Sequence, residues 1–121
     1  MISNRGAIAR RRQRLRADLR ALSEQPLMRG SVVERVRRCG RANCACARDP
    51  GARHRGTFLT VHLQGATQAV HVRPEDDAAV RAAVSAYQRL WTLIDALTAL
   101  ELADLKRQAR ERRRARQRRR V

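Results

Sequence analysis

The sequence predicts an α+β protein in which two helices flank a small antiparallel sheet with a metal-binding loop. All three cysteines lie within eight residues, from Cys39 to Cys46, and His54 follows shortly after them. Two short aliphatic segments with a period of two meet around Gly65, as in a β-hairpin. A long helical pattern begins at Pro74. At 121 residues the chain has room for one domain with tails.

The first element is a basic helix over residues 5–24, within an N-terminal segment that we place at 1–26. Its apolar side chains recur at near-helical spacing: Ile8, Leu15, Leu19 and Leu22. Arg12 interrupts this stripe, so the first half of the helix is expected to fray. Pro26 follows the last turn and ends the helix.

Residues 27–73 are predicted to form a module of metal loop and hairpin. A strand over 31–38 leads into the loop, and strands over 57–63 and 68–73 are joined by a hairpin loop at 64–67. The expected cross-strand pairs are Leu63 with Gln68, Val61 with Val70, and Leu59 with Val72. This register puts the aliphatic side chains on one face of the sheet and two histidines on the other.

The second helix spans residues 74–105, where Pro74 and three following acids suit the first turn of a helix. Two apolar rows recur along it, so it can cover both the sheet and a partner helix. Trp91, Ile94 and the leucines beyond them are more than one short helix can cover, which predicts a homodimer through this helix. Residues 106–121 form an Arg-rich tail with ten cations against Glu111. We expect this tail to fray when free and to become ordered on a phosphate backbone.

The cysteines and His54 follow the pattern C-x4-C-x-C-x7-H, which is typical of a closed tetrahedral zinc site. The predicted ligands of a structural Zn²⁺ are Cys39, Cys44, Cys46 and His54. His62 or His71 could replace His54 as the fourth ligand. A redox pair is disfavoured because the last two cysteines form C-x-C, and an iron–sulfur cluster is less favoured than zinc.

Enzymatic activity is not expected, because the sequence has no paired carboxylates, nucleophile elbow or phosphate-binding glycine loop. Four protein ligands would also leave zinc no open position for an activated water. No apolar run reaches the length of a membrane span, and the start of the chain lacks the apolar core of a secretory signal. The expected location is therefore cytoplasmic.

The net charge of +17 points to a polyanionic partner, and the positive charge is concentrated at the two ends and the cysteine loop. With few aromatic residues for stacking, duplex or structured DNA or RNA is favoured over single strands. The predicted contacts are Arg37, Arg38, Arg41, Arg48, Arg53, Arg55, Arg112, Arg113, Arg116 and Arg119. The alternative is a zinc-stabilised adaptor that pairs with another protein through its long helix, while the arginines keep it soluble.

Several short motifs resemble a family of small uncharacterised bacterial and archaeal proteins, a domain of unknown function. The motifs are Arg29-Gly30-Ser31, Arg38-Cys39-Gly40, Asn43-Cys44-x-Cys46-Ala47, His54, Gly65 and Pro74. The similarity runs from about Arg29 to Trp91, and it implies a shared fold of zinc loop and hairpin but supplies no activity. After His54 the family continues with Gly-Pro and several aromatics, whereas this chain has Arg55-Gly56-Thr57-Phe58. If those aromatics form a binding surface, this chain has lost most of it.

Overall fold

The computed structural model describes residues 4–120, which form two helices and three strands with short 3₁₀ turns between them. The elements are α1 (Asn4–Ser23), β1 (Gly30–Arg37), β2 (His54–Leu63), β3 (Ala66–Val72) and α2 (Asp77–Arg120). The predicted α+β class is confirmed, with its N-terminal helix, three-stranded antiparallel sheet and long C-terminal helix. Residues 1–3 and 121 of the predicted terminal segments lie outside the described residues.

The three strands form one antiparallel sheet in the order β1-β2-β3, so β2 is central. β1 pairs with β2 from Gly30 opposite Val61 to Arg37 opposite His54. β2 pairs with β3 from Thr57 opposite Val72 to the hairpin end. The strand that leads into the cysteine loop is therefore hydrogen-bonded to the strand that leaves it, which holds the two ends of the loop side by side.

The hairpin register differs by two residues from the predicted one. Leu63 lies opposite Ala66 and Leu59 opposite Val70, because Gln64 and Gly65 alone form the turn. Both turn residues have positive φ, 51° and 78°, as in the tight turns that match the twist of paired strands. A shift of two residues keeps every side chain on its predicted face, so the assignment of faces holds although the pairs change.

One face of the sheet packs against the start of α2. Leu59, Val72 and Val84 are buried together. The partly buried residues around them are Met28, Val32, Val61 and Val80. The backbone N–H of Met28 also donates to the carbonyl of Ala83, which ties the segment before β1 to α2. Leu59 and Val72 on the aliphatic face of the predicted hairpin are thus buried, whereas Leu63 and Val70 on the same face are about half exposed.

Arg12 is a structural residue rather than an interruption of α1. Its guanidinium donates to Glu101 at 2.6 Å and to Asp104 at 2.8 Å, and α1 is helical on both sides of it from Asn4 onward. The prediction of a frayed first half is therefore wrong. The sequence shows an arginine in an apolar stripe but not the two acids that lie about ninety residues further along the chain.

The long helix does not stop at Leu105 but continues to Arg120. Arg107 donates to Asp104 at 2.7 Å and to Glu111 at 2.7 Å, so it links the apolar part of α2 to the basic part. Such pairs three and four residues apart stabilise a helix, and arginine itself favours helical backbone. These interactions explain why the expected fraying of the tail is not observed in the described residues.

The chain divides into two compact units that share α2. One comprises the residues up to Gln25 and from Arg89 onward, and it contains α1 and the longer part of α2. The other is Pro26–Gln88, which contains the sheet, the cysteine loop and the start of α2. Within residues 4–120, neither helix is long and apolar enough to cross a membrane.

We predict that Asp104→Asn lowers the thermal stability of the protein at neutral pH by a few degrees, because it removes the negative charge and one of the two carboxylate oxygens that accept from Arg107 and Arg12. Hydrogen bonds from these two arginines hold the pKa of Asp104 below its ordinary value of 3.8. A carboxyl whose pKa is lowered by folding contributes stability above its unfolded-state pKa, and this contribution is lost as the pH falls through the folded-state pKa.

The melting temperatures of both proteins, followed by circular dichroism, should therefore converge as the pH is lowered through and below 3.8. Asp18→Asn is the matched control, because it removes the same charge from α1 at an exposed position outside this cluster. A constant difference between Asp104→Asn and wild type at all pH values would contradict the prediction.

Candidate metal centre and the arginines around it

The cysteine loop connects β1 to β2 through tight turns that bring its two halves together. Gly40 follows the first cysteine with a φ of 86°, a conformation that side chains disfavour. Two 3₁₀ turns follow, Ala45–Ala47 and Pro50–Ala52. The carboxylate of Asp49 accepts a hydrogen bond from the N–H of Gly51 at 2.9 Å and caps the second turn. The loop then ends at His54, the first residue of β2.

The structure brings together the four residues that the sequence predicted as ligands. The Sγ atoms of Cys39, Cys44 and Cys46 and a ring nitrogen of His54 all lie within 4.8 Å of one another. The Sγ of Cys44 is 3.3 Å from Nε2 of His54, and the Sγ of Cys46 is 3.5 Å from that of Cys39. Cys46 is buried, whereas His54 is exposed. This arrangement is a candidate Cys3His metal site.

The spacing of the donor atoms fits a tetrahedral zinc ion. Zn–S bonds of about 2.3 Å and Zn–N bonds of about 2.0 Å put the ligand atoms roughly 3.5–3.8 Å apart in a tetrahedron. The Cys44–His54 and Cys46–Cys39 separations of 3.3 and 3.5 Å are close to these values, and all four donor atoms lie within 4.8 Å of one another. Three sulfurs and one imidazole are also the donors that zinc prefers in structural sites. The residues present therefore fit a metal ion of the kind that the sequence predicted.

Hydrogen bonds in the loop favour the thiolate form of Cys44, which is the form that binds a cation. A hydrogen bond from the backbone of Cys46 is the main cause that lowers the pKa of Cys44 to about 6, and the side chains of His54, Cys46 and Cys39 lower it further. The pKa of Cys46 is raised instead. The backbone N–H of Cys39 has the largest single effect on it and acts to lower it, but burial and the neighbouring thiols outweigh this effect. Without a cation, the second of two such close sulfurs ionises with difficulty.

The two other histidines lie elsewhere on the sheet and have different contacts. The ring of His62 is 2.9 Å from the hydroxyl of Thr67 near the hairpin turn. The ring of His71 meets Phe58 edge-on, with 5.4 Å between the ring centroids. Of the three histidines that the sequence left open as the fourth ligand, only His54 is part of the cluster.

The predicted arginine contacts near the loop are all exposed to solvent: Arg37, Arg38, Arg41, Arg48, Arg53 and Arg55. Within residues 4–120, none of them forms an ion pair with an acidic side chain; the ion-paired arginines there include Arg12, Arg81 and Arg107. The loop arginines therefore keep their charge available for an external anion. Sequence analysis identified this group but missed a contact of Arg37, whose guanidinium carbon lies 4.7 Å from the centre of the Phe58 ring.

The other predicted contacts lie on the last turns of α2. Arg112, Arg116 and Arg119 are exposed and follow a spacing of four and three residues, so they lie on one side of the helix. Arg113, also exposed, lies about a quarter turn away from Arg112. These residues and the loop arginines belong to different compact units.

The fold and the cluster define a class of small α+β proteins in which an antiparallel sheet carries a cysteine–histidine loop able to hold a metal. The chain belongs to a family described as a domain of unknown function, DUF6788, whose model matches residues 6–82. The match includes α1, the whole sheet and the cysteine loop, and it ends within the first turns of α2. Searches of curated proteins and of solved structures gave no significant match.

We predict that His54→Ala lowers the zinc content of the purified protein well below one ion per chain, because three thiolates alone leave the tetrahedron incomplete. His62→Ala and His71→Ala are the matched controls and should retain the wild-type content. The measurement is metal analysis by mass spectrometry of protein purified without added metal, after dialysis against a mild chelator. Full zinc content in His54→Ala, or loss of zinc in either control, would show that the fourth ligand has been misassigned.

Proposed function

We propose that the protein is a non-enzymatic, zinc-stabilised nucleic-acid-binding protein that contacts duplex or structured DNA or RNA mainly through phosphates. The observation that carries the proposal is the position of the loop arginines. They precede, separate or directly follow the candidate ligands in the sequence and are exposed, and none forms an ion pair within residues 4–120. Positive side chains on an ordered loop can meet phosphates with a defined geometry.

Zinc would serve the loop as a structural cross-link. The cysteine loop lacks an apolar core of its own, since Cys46 is its one buried residue among those described. A metal held by Cys39, Cys44, Cys46 and His54 would fix the backbone that carries Arg38, Arg41 and Arg53. With all four positions filled by protein, such a site favours a binding role over catalysis.

The end of α2 provides a second basic surface. Its last fifteen residues carry ten cations and are helical to Arg120. At 1.5 Å per residue this segment is about 21 Å long, which is enough to follow several phosphates of a backbone. Repulsion among its arginines decreases when phosphates neutralise them, so nucleic acid would stabilise this part of the helix.

We predict that replacing Arg38, Arg41 and Arg53 by Gln weakens binding to a labelled 20-base-pair duplex and reduces its salt dependence. The slope of log K against log salt should fall by about 0.9 for each phosphate that the variant no longer neutralises. Fluorescence anisotropy over a series of potassium chloride concentrations measures both quantities. The matched control replaces the exposed residues Arg10, Arg14 and Arg16 of α1 by Gln, which removes the same charge outside the predicted contacts.

The α1 control variant should keep a steeper slope of log K against log salt than the variant with Gln at positions 38, 41 and 53. If both triple variants lose affinity and slope equally, the loop arginines act only through net charge and the proposed interface is wrong. If wild-type protein binds no duplex even at low salt, the proposed function itself fails for duplexes.

A second candidate function, pairing through the long helix, is supported by an exposed apolar stripe on α2. Leu102 and Leu105 are 50% and 57% exposed, and with Ile94, Thr98 and Glu101 they line an apolar groove. Among the described residues of the unit that contains α1, only Leu22 and Leu100 are buried hydrophobics. Two helices with so small a core would gain stability from a second copy of the chain that covers the stripe.

We predict that wild-type protein sediments as a dimer at micromolar concentration and that Leu102→Gln/Leu105→Gln raises the dimer dissociation constant at least a hundredfold. Burial of one leucine contributes about 1.5–3 kcal/mol, and Gln preserves helix propensity and net charge. Ala99→Gln, at an exposed position outside the groove, is the control. Salt should strengthen the dimer because each chain carries +17. Monomeric wild-type protein would contradict this prediction.

A further inference from the structure

The face of the sheet opposite the aliphatic core is open and carries positive and planar side chains. Alternation along the strands places Arg35 and Arg37 of β1, Phe58 of β2 and His71 of β3 on this face. Arg35, Arg37 and His71 are exposed. A half-buried antiparallel sheet is typically polar on such a face, and this one is specifically cationic.

Three of these side chains form one contact cluster. Phe58 lies directly opposite His71 in the strand register, and the two rings meet edge-on at an interplanar angle of 67°. The guanidinium carbon of Arg37 lies 4.7 Å from the centre of the Phe58 ring. Phe58 is only 6% exposed, although it is on the side of the sheet away from the aliphatic core. Phe58 therefore packs beneath Arg37 and His71, and these two side chains form the solvent-exposed surface of the cluster.

This cluster adjoins the candidate metal site. Arg37 is the last residue of β1 and lies opposite His54, the first residue of β2. Phe58 is four residues further along β2 on the same face as His54, with Gly56 between them. Since Gly56 has no side chain, the ring atoms of Phe58 come within 3.0 Å of where its Cβ would be. Arg38, an exposed arginine of the loop, therefore directly follows Arg37 of the contact cluster.

We propose that this open face binds unpaired nucleotides, with a base stacked on the guanidinium of Arg37 and the flanking phosphates contacting Arg35 and the loop arginines. A guanidinium is a planar cation that stacks on bases, and a phenylalanine beneath it reduces the entropy lost when it is held in place. Bases within a duplex are already stacked on one another, so single-stranded segments fit the face better. This inference rests on the proposed function and specifies which part of a structured nucleic acid the sheet would contact.

The charge and the planar groups of the open face favour a single-stranded nucleic acid over an acidic peptide. The residues on the open face that carry charge at neutral pH include Arg35 and Arg37, and the adjoining loop adds Arg38 and Arg41. An acidic peptide could satisfy these charges, but it would leave the planar surface of Arg37 and His71 without a stacking partner. A single strand supplies both phosphates and planar bases.

The test is Arg37→Lys, which keeps the charge and removes the planar group. Binding is measured by fluorescence anisotropy to a labelled 12-nucleotide single strand and to a strand of equal length whose central nucleotides are abasic. The expected result is about a 5- to 150-fold loss for the intact strand, the range that stacking of one base is worth, and no change for the abasic strand. Arg14→Lys, on the exposed surface of α1, should change neither.

Zinc content and the circular dichroism spectrum of Arg37→Lys should match those of wild type, which separates the removal of a stacking group from damage to the adjacent metal site. Equal losses for the intact and abasic strands, or no loss for either, would overturn the inference while leaving phosphate binding intact. Failure of wild-type protein to bind either strand or the duplex would instead reject the proposed function.

Discussion

The approach of three sulfurs and one imidazole to within 4.8 Å of one another is the constraint on which the sheet module depends. Such a cluster is unfavourable for several thiolates alone and favourable around a soft cation. Cys39 and Cys44 precede the first 3₁₀ turn, Cys46 lies within it, and His54 begins the central strand. A metal would therefore connect the cysteine loop to the strand that contacts both neighbours in the sheet. With a metal bound, the small aliphatic core around Leu59 would have to stabilise only the rest of the module.

Much of the fold could be predicted from short-range patterns. Helix periodicity, the proline at 74 and the alternation in the hairpin are local signals, and each predicts an element that the structure contains. The errors came from contacts between distant residues or from turn geometry. A turn at Gln64 and Gly65 requires a non-glycine residue with positive φ, which Gln does not signal. Arg12 looks misplaced until its partners Glu101 and Asp104 are known.

In the candidate site too, local sequence signals predict some features, and others depend on contacts between distant residues. The cysteine spacing alone was enough to identify the cluster, because three cysteines and a histidine at such short separations are typical of metal sites. The spacing already favoured His54, but the exclusion of the other two histidines needed the strand register, which places His54 beside the loop and leaves His62 and His71 along the sheet. The association of Arg37, Phe58 and His71 involves one residue from each strand. A low count of aromatic residues gave no indication of it, since a composition does not show that one ring lies beneath an arginine.

The order of the strands leaves two unequal edges on the sheet. β1 carries Glu34, Arg35 and Arg37, and charges on an edge strand oppose the addition of a strand from another molecule. β3 has no formally charged residue, and its outer backbone groups face no further strand within the described residues. Resistance to strand addition at the β3 edge therefore depends on long-range repulsion between copies of the protein that each carry a charge of +17. Concentrated salt or bound polyanions screen that repulsion, so the conditions that neutralise the protein are also those in which amyloid-like strand pairing becomes a hazard during purification and storage.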